Sequence, residues 1–384
     1  MESIIEKLSH NSRKCTRFFF IIIIYYAVST SCKEGTPSNE IIMNCLPVDT
    51  LQSIFQIGEE LGDSTNTFGS ILDVSVDRDG RILVLDEVYA FVKIYDLQGN
   101  YLRQVSRRGD APGELARPRG LGIMPDGRLI ISSPGKAGFV VFDSSFHFLE
   151  EISLWYNNSP YDLAAISNSE VVICRYDEDP DNDFIRHTLG IYSLGSTNCD
   201  VLLWKDSMEV TKSLEETDPS QSWIFCLFNL LEVNTDYSGN IYFAPIDQFE
   251  YRVIVWDSAG NEILNLTRDI TPVEKTFGEI ESEVMYMNGH FRNKAGYLPS
   301  FEFHPLPYRN MIEEVGIGPD ENLWVRRGTR IDLFFDIYDL DGVLLRHAVY
   351  PVESWSWETE ITPYGILAWE LDPLTGYQKL YLVQ

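Results

Sequence analysis

An aromatic residue that closes an apolar strand and leads into a turn recurs along this 384-residue chain. The copies are VKIYDLQGN at Tyr95, FVVFDSSFH at Phe142, LGIYSLGST at Tyr192, VIVWDSAGN at Trp256 and FDIYDLDGV at Tyr338, with a sixth, QKLYLVQ at Tyr381, at the end. Successive copies lie 47, 50, 64, 82 and 43 residues apart. A repeat of about 45 residues made only of short strands is the mark of a β-propeller, one repeat to each four-stranded blade. The expected fold is therefore all-β, a six-bladed β-propeller of four-stranded antiparallel blades. With 44% hydrophobic and 13% aromatic residues, the chain can fill such a core.

The first repeat shows the grammar. Gly69–Val76 reads as a strand, Asp77-Arg78-Asp79-Gly80 as a turn, and Arg81–Asp86 as the returning strand. An Asp-Gly pair between apolar runs signals a hairpin, because Gly takes positive φ without a steric penalty. Phe91–Asp96 and Tyr101–Ser106 complete a four-stranded meander. The last repeat supplies three strands, near Trp355–Ile361, Tyr364–Trp369 and Gln378–Val383, while Leu51–Ile57 stands alone before the first repeat. Placing this N-terminal strand in the last blade completes the blade and removes two open sheet edges.

The two long gaps place insertions near 205–222 and 271–308, each after a fourth strand and before the next first strand. In a propeller such connections share one face, so both insertions should crowd one mouth of the central channel. In the second, Pro272 and acidic residues precede Phe277, Ile280, Val284 and Met287 at helical spacing, which predicts a short cap helix.

The N-terminus reads as an address. Lys7, Arg13, Lys14 and Arg17 precede the apolar run Phe18–Val28, and Ser29-Thr30-Ser31 leads to Cys32. Basic region, apolar core and small residues in that order make a secretion signal. The run is about 11 residues, short for a ~30 Å hydrocarbon core. The small residue before Cys32 resembles a lipoprotein signal, which implies lipidation of Cys32. Residues 1–31 are expected to be the signal peptide, 32–48 a tether and 49–384 the propeller. The expected location is the cell envelope, as an outer-membrane lipoprotein joined to the membrane through its lipid anchor only. A net charge of −28 argues against nucleic acid as a partner. The spacing of Cys45, Cys174, Cys199 and Cys226 disfavours a zinc cluster. Cys174 and Cys199 share a repeat and are either bridged or buried free thiols.

The second repeat, SRRGDAPGELARPRGLGIMPDGRLIISSPGKAGFVVFDSSFHFLEEI, resembles the NHL repeat in its Gly-x-x-Pro-Gly-Glu segment, its Pro before the first strand and its Asp-Gly hairpin. The plan of Leu51–Gln384 is similar to that of the six-bladed propeller lipoproteins of Bacteroidetes, which implies fold and location but no reaction. Six-bladed propellers resembling gluconolactonases or arylesterases hold calcium in the channel, and oxygen ligands suit that ion. Candidates in this chain are polar residues at the channel ends of first strands, such as Asp73, Asp162, Asn229 or Glu313, and no motif in the spacing selects them. Propellers resembling the amidating lyase bind zinc through several His. Here His147 and His347 belong at the blade periphery, leaving His290 and His304 in the insertion, and no Gly-x-Ser-x-Gly elbow is present. The run Asp177–Asp183 lacks the Gly and distal Glu of a calcium loop and reads as a solvated loop, and Arg108-Gly109-Asp110 reads as a turn.

Aromatic residues gather in or beside the insertions. Trp223, Tyr286, His290, Tyr297, Phe301, His304 and Tyr308 form the expected ligand-binding set, because flat rings with polar neighbours suit sugars or peptides. The expected function is a binding or scaffold module for a glycan, peptide or envelope protein, with no catalytic residues, metal or cofactor assigned. The alternative is a metal-assisted hydrolase or lactonase with calcium in the channel.

Overall fold

The structure, a computed structural model, describes residues 46–59, 63–153, 160–178, 184–205, 210–211, 232–285, 305–328, 332–352, 357–370 and 378–384. Strands β1 (Val48–Thr50) and β2 (Ser53–Ile57) precede the blades. Blade 1 is β3 (Ile71–Val76), β4 (Ile82–Asp86), β5 (Phe91–Tyr95) and β6 (Tyr101–Val105). Blade 2 is β7 (Gly120–Ile123), β8 (Leu129–Ser133), β9 (Gly138–Phe142) and β10 (Phe148–Ser153). Blade 3 is β11 (Asp162–Ala165), β12 (Glu170–Glu178), β13 (Phe184–Ser193) and β14 (Val201–Lys205), with the short β15 (Val210–Thr211) beside β13. Blade 4 is β16 (Val233–Thr235), β17 (Ile241–Phe243), β18 (Tyr251–Trp256) and β19 (Glu262–Arg268). Blade 5 is β20 (Ile312–Ile317), β21 (Leu323–Arg327), β22 (Asp332–Tyr338) and β23 (Leu344–Pro351). Blade 6 is β24 (Trp357–Thr362), β25 (Gly365–Glu370) and β26 (Leu380–Val383), completed by β2 antiparallel to β26. The fold is the expected six-bladed propeller, closed by its N-terminal strand.

The sequence did not announce β1. It lies parallel to β23, Val48 opposite His347 and Thr50 opposite Val349, as a fifth strand on blade 5. His347 was placed at the periphery, and it does sit on an outer strand. It is nonetheless buried, because β1 covers that edge. His147, in the turn before β10, is exposed.

The recurring aromatic-Asp pair has a local mechanical meaning. The aromatic ends the third strand, and the following Asp folds the turn into the fourth. Asp96 Oδ1 accepts from the N–H groups of Gln98 and Asn100, at 2.9 and 2.8 Å. Asp143, Asp257 and Asp339 repeat the pattern at their own turns. The first-to-second-strand hairpins use the same device, Asp77 accepting from Asp79 and Arg81 and Asp236 from Ser238 and Asn240. Gly80 and Gly99 close two of these turns at φ +75° and +80°, a region costly for a side chain.

Between adjacent blades the facing sheets bury apolar clusters. Leu83, Leu85, Val92 and Ile94 meet Leu129, Ile131 and Val140 between blades 1 and 2. The seam between blades 6 and 1 joins Val74, Val84 and Tyr95 to Leu367, Leu380 and Leu382. Cys174 and Cys199 are free thiols, Cys174 buried in the seam between blades 3 and 4.

Candidate functional site

Because each blade is an up-and-down meander, first-to-second and third-to-fourth turns share one face. Second-to-third loops and inter-blade connections share the other, which therefore carries both insertions. At the turn face the channel is capped. Arg78 of blade 1 reaches the opposite blade 4, its Nη2 donating to Tyr237 O at 2.8 Å with the guanidinium 5.0 Å over the Tyr237 ring. Its Nη1 donates to Pro125 O of blade 2, and Tyr364 of blade 6 donates its hydroxyl to Arg78 O at 2.9 Å.

Above this cap the first strands carry acids: Asp73 on β3, Asp162 on β11, Glu232 just before β16, Glu314 on β20 and Glu360 on β24. Three of them link blades. Asp73 Oδ2 accepts the Leu121 N–H at 2.7 Å (blade 1 to 2), and Asp162 Oδ2 accepts the Val233 N–H at 2.9 Å (blade 3 to 4). Glu314 accepts from the Ile361 N–H and the Thr359 hydroxyl (blade 5 to 6). Asn234 of blade 4 donates to Ile361 O at 3.1 Å and to Glu360 Oε1 at 3.3 Å. It passes Gly316 on β20, where a Cβ would stand 2.8 Å from its amide nitrogen.

A β-bulge aims two of these acids. Pairing on β3 slips between Ile71 and Asp73, and on β20 between Ile312 and Glu314, so Leu72 and Glu313 are the extra residues. Bulges re-aim side chains next to sites. This corrects the expected channel position of Glu313. That residue is half-buried with Asn310 Nδ2 at 3.4 Å from its carboxylate, and Glu314 is the one turned toward blade 6. Asp73 and Asp162 each bond the first strand of the next blade, and Asn229 lies outside the described residues.

Burial disfavours ionised carboxylates, and proximity adds mutual repulsion. Burial first and the Asp162 charge second raise Asp73 to about 8. Burial raises Asp162 to about 6, against the pull of the Val233 and Leu163 N–H groups. Burial likewise lifts Glu314 to about 7, against its bonds from Thr359 and Ile361 and the nearby Arg326. Glu360 rises well above the usual range through burial and the neighbouring carboxylates.

These shifts have a definite sign. Between the unfolded carboxylate pKa near ~4 and the raised folded values, the folded protein holds protons that the unfolded chain has released. The resulting stability is complete below about pH 4 and is lost as pH rises through about 8. His187, lowered to about 4 by burial beside the Tyr161 hydroxyl, opposes this between its unfolded value and pH 4, but it is one group against four wall acids. Glu279 opposes it below the carboxylate range: burial alone would raise it, but bonds from Arg309 and Thr276 hold it near 2. Thermal melts should therefore show a higher Tm at pH 5 than at pH 8.5. Asp73→Asn should flatten that slope, and a Tm that climbs steadily with pH would refute the protonated wall.

The expected ligand-binding set is only partly placed. Trp223, Tyr286, His290, Tyr297, Phe301 and His304 lie outside the described residues. Tyr308 is half-buried, its ring tilted against Phe249 at a centroid distance of 5.3 Å. Val210–Thr211, inside the first expected insertion, extends the blade 3 sheet along Phe184–Ile185. The expected cap helix is present over 277–285. Its packing differs from expectation: Phe277 is 79% exposed, whereas Glu279 is buried and Ile280 and Val284 are half-buried. The missed signal is a capping box, Thr276-x-x-Glu279, in which the Thr276 N–H donates to Glu279 Oε2 at 2.8 Å and the Glu279 N–H to Thr276 Oγ1 at 3.3 Å.

Residues 62–184 match the family model DUF5128, 6-bladed beta-propeller. That is the fold the strands build. No curated protein matches the chain. Among solved structures, a member of the DUF4221 family from Bacteroides vulgatus aligns at 8% identity and a TM-score of 0.48, covering 87% of this chain and 97% of that one. A protein of Bacteroides fragilis described as exported aligns at 9% identity and a TM-score of 0.48, over 91% and 98%. The calcium-binding protein regucalcin from Agrobacterium tumefaciens aligns at 11% identity and a TM-score of 0.44, over 87% and 94%.

The donor set bears on a channel calcium directly. Among the described residues no three Asp, Glu, His or Cys side chains are grouped so as to hold a metal ion. Asp73, Asp162 and Glu314 instead take protein N–H groups from the next blade. The described set does not fit the ion.

Proposed function

We propose that this chain is a binding or scaffold propeller that holds its partner on the insertion-bearing face. The observation that carries this reading is how the channel's polar groups are used: the wall acids tie blade to blade, and Arg78, Tyr237 and Tyr364 tie off the turn face. The connections after β14 and β19, where both insertions fall, leave the sheets on the opposite face. The partner class is a glycan, a peptide or another envelope protein. The address is the cell envelope, with the chain exported and lipidated at Cys32, a residue outside the described region. No helix among the described residues is long and apolar enough to cross a membrane.

The second insertion can be removed cleanly, because its ends are hydrogen-bonded neighbours: the Arg309 N–H donates to Val273 O at 2.9 Å. Replacing 274–308 with a short Gly-Ser link should leave the melting transition cooperative and abolish retention of partner on a glycan array, peptide array or envelope extract. Retention that survives the excision would move binding off this face. Stoichiometric metal in the purified protein, with hydrolysis that a chelator stops, would replace the binding reading with an enzymatic one.

A further inference from the structure

The base of the second insertion is a ledge pinned to blade 4 from several sides. Besides the Arg309 bond to Val273, the Lys275 N–H donates to Pro307 O at 2.8 Å. The Gln248 side-chain amide donates to Tyr308 O at 2.6 Å, and Tyr308 leans on Phe249 in the second-to-third-strand loop of blade 4. Helix α1, described over 277–285, starts at the capping box and turns Ile280 and Val284 inward. Residues at i, i+4 and i+8 share a helical face, so Phe277, Glu281 and Met285 line up together on the outer side.

Exposed apolar residues lie on that side and on the segments pinned beside it. Phe277 is 79% exposed, Phe249 63% and Met285 55%, and Val273 is exposed between them in the chain. Single exposed apolar residues need no explanation, but several on one hydrogen-bonded ledge mark an interaction surface. Among the described residues the exposed charge around it is mainly acidic. Two described cations of the ledge are used internally and largely buried: Lys275 bonds Glu283 at 2.7 Å, and Arg309 bonds Glu279 at 2.7 Å. Glu250, Asp269, Glu274 and Glu281 remain exposed. Among the described residues only Arg252, 4.0 Å from Glu250, forms an ion pair with any of the four.

We propose that this ledge docks a basic protein segment with apolar anchors. Phe277, Phe249 and Met285 receive its apolar side chains, and Glu250, Glu274 and Glu281 face its Lys and Arg residues. An acidic rim attracts a basic partner and steers its approach, whereas it repels anionic lipid. The proposal rests on the reading of the chain as a binding module and narrows that partner from glycan or protein to basic protein.

The test is selection of random dodecamer peptides on the immobilised full chain, followed by fluorescence anisotropy with a selected peptide. Recovered peptides should combine Lys or Arg with Leu, Phe or Trp. Phe277→Ser with Met285→Ser should weaken binding by about tenfold or more. Glu274→Lys with Glu281→Lys should weaken it and reduce its salt dependence. All four positions are exposed, so an unchanged Tm verifies the fold of each variant. Peptides without basic enrichment would overturn the ledge, as would equal affinity in the Phe277→Ser, Met285→Ser chain. If that chain binds normally while the excision variant or a blade-face variant does not, the ledge fails and the broader binding reading stands. Phe277-dependent adsorption to phosphatidylglycerol vesicles would also overturn the proposal, in favour of a lipid surface.

Discussion

Deleting residues 1–57 should abolish cooperative folding of the propeller. The deletion removes β2, whose Ile57 is buried against the seam between blades 6 and 1, and Leu51, buried between blades 5 and 6. Each such side chain contributes about 1.5–3 kcal/mol on burial. The loss also strips β26 of its outer partner and opens an edge in a ring that is otherwise closed. Together these exceed about 5 kcal/mol, the lower end of the stability of a whole domain. The expected result is aggregation on expression, or loss of the sharp melt by circular dichroism. Ile57→Asp in the full chain should go part of the way, lowering Tm by several degrees while leaving the chain soluble. A truncated chain that melts as sharply as the parent would show that the ring closes without its N-terminal strand.

The second large effect belongs to Asp336, which is fully buried on β22. Arg327 bonds it through two nitrogens at 2.7 and 3.0 Å, His347 Nδ1 lies at 2.7 Å, and the Tyr251 hydroxyl donates at 3.0 Å. Arg268 stands 3.5 Å away and also donates to Tyr338 Oη at 2.8 Å. Burial alone would raise this carboxyl; the His347 bond and the two guanidinium groups outweigh it and hold it below the usual range. A buried ion pair is weak proof of net stabilisation, but removing one partner strands the other charges. Asp336→Ala should cost about 3–5 kcal/mol and lower Tm by about 4–7 °C in a domain of this size. Asp336→Asn should cost less, since it keeps the volume and some of the bonds. A loss under about 1 kcal/mol for Asp336→Ala in urea titration would mean that solvent already reaches the network.

Much of the fold was legible because its determinants are local and repeated. Tyr95-Asp96 and its copies encode a strand end and the turn after it within a few residues, and that unit fixed blade number and strand order. Ring closure was legible from Leu51–Ile57 as a strand in search of a partner. What the sequence hid are relations across the ring. Arg78 and Tyr237 lie on opposite blades, far apart in the chain, and neither residue type marks a channel cap by itself. Glu313 and Glu314 differ by one position, and only the bulge in β20 decides which faces the next blade. His347 looked peripheral because the strand that buries it comes from the far end of the sequence. Phe277 fell on the apolar spacing of a helix, yet the capping box sets that helix's rotation so that Glu279, held by Arg309, takes a buried place.

The fifth strand on blade 5 also sets how the ring carries force. The chain reaches β2 only after passing through β1, which is held to β23 by the Thr50–Val349 register, the Leu51 N–H to Val349 O bond and the Arg346–Asp49 ion pair at 2.8 Å. A pull transmitted through Pro47 along the strand axis therefore loads the β1–β23 bonds together, in shear, before any tension reaches the closure of blade 6. Blade 5 acts as a strain relief, so a chain tugged by its leading end would resist at a sacrificial strand and keep its ring shut.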